Sequence, residues 1–132
     1  MSRSHHLRFT SSAYPVVPGE DAATNPGVFG RALAEWVAAG LRDCGFGVGK
    51  IIPEDFAWCV PVESQDGRTY VACAAASEIP TSWRVFVFSD AGFIARLVGK
   101  NKQPAAISTV FAKTREILLR SPDVEGLIEE DV

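Results

Sequence analysis

The chain has 132 residues, 47% of them apolar and 22% charged, with a formal net charge of −3. That size and balance describe one folded domain and exclude an extended disordered chain. The acidic surplus argues against nucleic acid as a partner, and no apolar run approaches the about 18 residues of a membrane span.

Residues 1–12 hold no apolar run of secretory length, and the three cysteines (Cys44, Cys59 and Cys73) are odd in number. Reduced thiols in a cytoplasmic protein are therefore expected.

Residues 5–11 predict a first strand with Leu7 and Phe9 on one side. Residues 13–24, with Pro15, Pro18 and Gly19, read as a loop. The strongest signal follows, over residues 25–45. Asn25 suits an N-cap, Pro26 the first helical position and Gly45 a left-handed C-terminal residue. Between them Phe29, Ala32, Leu33, Trp36, Val37, Gly40, Leu41 and Cys44 form one apolar stripe at helical period, with Arg31, Glu35, Arg42 and Asp43 largely outside it.

Residues 46–53 read as extended and are interrupted by Pro53. In residues 56–63, Phe56, Trp58, Val60 and Val62 alternate with Ala57, Cys59, Pro61 and Glu63, a strand pattern of period two. Pro61 lacks a ladder donor and suits an edge position. Asp66-Gly67 is a hairpin turn signal. With those two residues as the turn, Val62 pairs with Val71, Val60 with Cys73 and Trp58 with Ala75 on the core face. Glu63, Pro61 and Cys59 then oppose Tyr70, Ala72 and Ala74 on the other face, which Ala72, Ala74 and Ala76 leave shallow.

Residues 77–82 make the next turn. Residues 83–89 are apolar on both phases apart from Arg84, which predicts a central strand buried on both sides. A short helix is expected from Asp90 to Gly99, on Phe93, Ile94, Leu97 and Val98, then a basic connector to Gln103. A second long helix runs from Pro104, on Ile107, Val110, Phe111, Thr114, Ile117 and Leu118, until Ser121-Pro122 stops it. The tail, 124–132, is either a docked short strand or a frayed end. The order β-α-β-β-β-α predicts an α+β, two-layer sandwich, an antiparallel sheet with helices packed on one face, as a single domain over residues 1–132.

Standard catalytic signatures are missing. The run Gly45-Phe46-Gly47-Val48-Gly49-Lys50 follows a helix and does not complete a dinucleotide fingerprint. His5 and His6 are the only histidines, which disfavours a Cys-His pair. The hairpin register sends Cys59 and Cys73 to opposite faces, against a shared metal or a disulfide. No cofactor, metal or catalytic residue is expected.

Glu54-Asp55, beside aromatics, offers a carboxylate pair, although a turn with one carboxylate on a backbone amide is the plainer reading. Trp36, Phe56, Trp58, Trp83, Phe86, Phe88 and Phe111 read as core or as a pocket lining. Arg96, Lys100 and Lys102 read as a solvated connector or as a face for an acidic partner.

The helix-opening Asn25-Pro26-Gly27 with Ala34-Glu35-Trp36, the Pro53-Glu54-Asp55-Phe56-Ala57-Trp58 segment and the Trp83 strand resemble a group of small bacterial proteins. In that group a Glu-Asp-Trp-Gly-Trp-like segment leads into the first hairpin; here Phe56 and Ala57 replace Trp and Gly. The resemblance spans most of residues 25–120 and implies a bacterial cytosolic setting, with no activity to carry over.

The expected function is a non-catalytic protein-interaction module, with an immunity- or inhibitor-type role among the fits. The alternative is a small-ligand-binding domain with an aromatic-lined pocket near Glu54 and Asp55, and a hydrolase using either carboxylate ranks last. The candidate contact residues are Glu54, Asp55, Trp58, Tyr70 and Arg84. The partner is another protein or a small molecule.

Overall fold

A buried carboxylate sets the start of the principal helix. In the computed structural model, which describes residues 6–64, 67–75, 81–89 and 105–130, α1 spans Arg31–Asp43 rather than starting beside Pro26. Glu20 lies in a 3-10 turn, Glu20–Ala22, and is 7% exposed. Its Oε2 accepts from the amides of Gly30 and Arg31, both at 3.1 Å, and its Oε1 accepts from Val17 at 2.9 Å. A negative group here satisfies orphan donors and favours the positive end of the helix dipole.

Asn25, the expected cap, instead donates from Nδ2 to the Asp55 carbonyl at 3.0 Å. Gly30 has φ of 153°, and a Cβ there would lie 2.4 Å from the Cys73 carbonyl oxygen, so the helix enters against β4 where only glycine fits. The other end matches expectation. Gly45 has φ of 91°, its amide bonds the Arg42 carbonyl, and the Phe46 amide bonds that of Leu41. That pair of bonds is a Schellman closure.

The described strands are β1 (His6–Thr10), β2 (Ile52–Pro53), β3 (Trp58–Ser64), β4 (Gly67–Ala75), β5 (Ser82–Ser89) and β6 (Glu125–Glu130). They form one antiparallel sheet in the order β2-β3-β4-β5-β1-β6. A second helix, α2 (Ala105–Arg120), completes the α+β order. α1 lies over β3 and β4, and α2 over β4 and β5. The helices meet at Gly40, where an added Cβ would come 3.1 Å from Ile117.

Leu33, Val37 and Leu41 of α1 are fully buried with Leu7, Phe9, Val60, Val62, Val71, Trp83 and Val85. Each such aliphatic side chain stabilises the fold by roughly 1.5–3 kcal/mol. Tyr14 joins Phe9, Trp36 and Trp83 in one aromatic group, and Trp83 Nε1 donates to the Ser11 carbonyl at 3.1 Å.

The β3–β4 hairpin pairs Val62 with Thr69, Val60 with Val71 and Trp58 with Cys73, closing at Ser64 opposite Gly67. Gly67 is thus the first residue of a strand and not a turn residue. The expected register moves by two, which preserves every face. Pro61 sits on the outward edge of β3, where its carbonyl accepts from Gly49 at 2.9 Å.

Strand β5 is central, but it is not buried on both sides. Trp83, Val85, Val87 and Ser89 are buried, whereas Arg84, Phe86 and Phe88 are half-buried; the two described helices, α1 and α2, lie on the same face. The tail is a docked edge strand, β6, paired with β1 through a bulge at which Gly126 takes φ of 64°. The turn residue Asp66, most of the 77–82 turn, the helix expected over 90–99 and the basic connector with Arg96, Lys100 and Lys102 lie outside the described residues.

Glu20→Ala is expected to lower stability by about 2–3 kcal/mol, since three amides lose their acceptor. Asn25→Ala should cost about 0.5 kcal/mol, the loss of one exposed hydrogen bond. Urea-unfolding midpoints measure both, and equal shifts would rule out Glu20 as the cap of α1.

Candidate functional site

The segment between β2 and β3 is a tight turn. The Glu54 amide donates to the Ala57 carbonyl at 2.9 Å, and the Ala57 amide donates back at 3.4 Å. The side chains of Glu54 and Asp55 are exposed and make no hydrogen bond or ion pair among the described residues. The turn takes Phe56 out of the strand period. It lies on the face opposite Trp58, although even spacing placed the two together.

On the helix side, a groove of about 480 Å³ opens beside Trp58. Arg31, Glu35, Ala38 and Arg42 recur along one stripe of α1 and form one wall, Lys50, Ile51 and Pro53 form the other, and Trp58 completes the lining. Arg31 Nε bonds Glu35 Oε1 at 3.3 Å, and its guanidinium lies 5.7 Å from the Trp58 ring centroid. Trp58 is 6% exposed, and its buried indole N–H has no hydrogen-bond partner among the described residues. Arg42 and Lys50 form no ion pair among the described residues.

The opposite, outer face is aromatic. Tyr70 and Phe88 stack at 5.1 Å, Phe56 meets Phe86 at 6.0 Å and Phe88 at 5.8 Å, and His6 stacks on Phe86 at 4.7 Å. Ala57, Cys59, Ala72 and Ala74 are buried in the same cluster. Phe56 remains 49% exposed. Beside the rings, Arg84 stands opposite Arg8 on the neighbouring strand. Arg8 bonds Glu130 at 3.0 Å, whereas Arg84 has no ion pair among the described residues.

The five residues singled out from the sequence therefore divide. Trp58 lines the groove, Tyr70 and Arg84 lie on the outer face, and Glu54 and Asp55 sit on the turn between. Sequence reasoning set Arg31 and Arg42 outside the apolar stripe of the helix and gave neither them nor Lys50 a role in a site. The available signal was the spacing of 31, 35 and 42, which puts those side chains on one side of the helix.

Cys59 and Cys73 face opposite sides of the sheet, and all three thiols are free. Burial, then the nearby Glu54 carboxylate, pushes the Cys59 thiol up to about 12. Burial, then Cys59, raises that of Cys73. Among the described residues no three His, Cys, Asp or Glu side chains converge as a metal site would require. Comparison with protein-family models, with curated proteins and with solved structures gives no match.

Thiol reagents at mildly alkaline pH should modify the exposed Cys44 rapidly, and Cys59 and Cys73 only after denaturation. The raised thiols also carry a sign. Folding favours their neutral forms, so stability is unaffected below their unfolded value of 9.0. Above it the unfolded chain ionises first, and each thiol costs up to about 1.4 kcal/mol per pH unit until the folded value is reached. Urea melts between pH 8 and pH about 11 measure this, and Cys59→Ala should flatten the fall.

Proposed function

We propose that the protein is a non-catalytic interaction module of the bacterial cytoplasm that docks another protein on the outer face of its sheet. The observation that carries this reading is Phe56, a large aromatic held 49% exposed at the edge of a row of four rings. An aromatic anchor beside a cation is the composition of an interface centre. Arg84 defines the partner's chemistry. With Arg8 opposite it and no carboxylate paired to it among the described residues, it favours an apolar surface that also presents a carboxylate. The cytoplasmic setting draws on the three free thiols, and no described helix is long and apolar enough to cross a membrane. The bacterial setting draws on the sequence resemblance. An immunity- or inhibitor-type role is one form such a module takes. The small-ligand reading draws on a different observation, the groove beside Trp58.

The test begins with capture from host lysate and ends with a purified pair. The captured protein, reconstituted with the wild-type chain, should lose at least about 30-fold in affinity against Phe56→Asp. A smaller loss, stronger at low salt, is expected for Arg84→Gln. Unchanged affinity in both variants would overturn the assignment of the outer face.

A further inference from the structure

We infer that the Trp58 groove binds a small organic anion carrying a doubly charged group, of the phosphate monoester or dicarboxylate class. The inference rests on the small-ligand reading and is independent of the docking face, from which the sheet separates it.

The lining carries three cations, Arg31, Arg42 and Lys50, against one carboxylate, Glu35. The local charge is therefore +2 in a chain whose formal net charge is −3. Cations at this density repel one another, and two of them, Arg42 and Lys50, are not neutralised by any ion pair among the described residues. They stand on opposite walls, Arg42 on α1 and Lys50 on the irregular segment that leads into β2. An anion between the walls would contact both, which no single exposed lysine or arginine on a convex surface achieves.

The void is the second observation. About 480 Å³ suits a ligand of metabolite size and far exceeds one bound water. The third is Trp58, whose indole N–H is enclosed without a partner among the described residues while Arg31 lies over its ring. An unsatisfied buried donor is costly. When a ligand draws Arg31 off the ring and into the anion's coordination, an oxygen of that ligand gains a route to the indole. Ile51 and Pro53 supply the apolar side of the lining, so an anion with an organic body should bind better than a bare one.

Phenyl phosphate, inorganic phosphate, phthalate and the neutral benzyl alcohol are the probes, titrated into the full chain and followed by calorimetry and by the indole N–H resonances. Phenyl phosphate or phthalate should bind saturably, more tightly than inorganic phosphate, weaken with added salt and shift the Trp58 indole resonance more than those of Trp36 and Trp83. Benzyl alcohol should not bind. Arg42→Gln and Lys50→Gln are exposed substitutions that leave the core intact, and each should weaken binding by about tenfold. Phe56→Asp should leave anion binding unchanged, which separates this site from the docking face. The inference is overturned if no organic anion saturates at millimolar concentration, or if both glutamine variants bind as the wild type does.

Discussion

The structure depends on a carboxylate kept from water. Glu20 holds three amides, two of them at the start of α1, and so fixes where a loop of some twenty residues delivers the chain to the sheet. Gly30 then passes so close to β4 that no side chain is tolerated, and the Ala75 amide bonds the Phe29 carbonyl at 2.9 Å. The helix entrance is thus joined to the strand by backbone contacts before any apolar side chain is counted. The placement of Leu33, Val37 and Leu41 over β3 and β4 follows from it, and so does the row Arg31, Glu35, Ala38 and Arg42 that walls the groove.

The two described helices lie on one side of the six-stranded sheet. An antiparallel sheet with one covered face normally alternates apolar inward and polar outward. This one departs from the rule at its centre. Outward positions of β4 and β5 include Tyr70, Ala72, Phe86 and Phe88, with charge returning around them at Arg68, Arg84, Glu63 and Arg8. The ring row shields small residues and a cysteine, which is why the Cys59 thiol is shifted so far. The edges are treated differently. β6 presents Glu125, Glu129 and Glu130, and charged edges disfavour pairing with a second sheet.

Legibility followed the range of the interaction. The end of α1 was readable because a Schellman closure uses residues within one turn of each other, and Gly45 announces it. The start was not, because the capping carboxylate lies ten residues upstream of Gly30 and outranks a good local cap at Asn25. Faces in the hairpin were readable from parity, and an even-numbered register error cannot alter them, so Trp58 and Tyr70 were separable from sequence. Phe56 was not placed correctly, since one tight turn resets the alternation. Strand β5 misled because two apolar phases mean burial on both faces only when both faces are covered. The groove was missed because its cations lie on two elements, and their convergence is a property of the entry angle of α1, set by Glu20.

The two surfaces share one support. The turn over residues 54–57 ends with Phe56 and Ala57 on the outer side and passes directly into Trp58 on the inner side. Its own two backbone bonds hold the reversal, and Asn25 ties it to the loop that Glu20 anchors. Glu54 and Asp55 are therefore best understood through their backbones: the amide and carbonyl of Glu54 close the turn and the Asp55 carbonyl accepts from Asn25, while their side chains face solvent. A rigid, short segment of this kind lets adjacent residues present opposite chemistries, aromatic on one face of the sheet and cationic on the other, without strain between them. The charge distribution supports that separation. The acidic residues of β6 lie at the far edge of the sheet from β2, away from a groove whose lining holds three cations and one carboxylate.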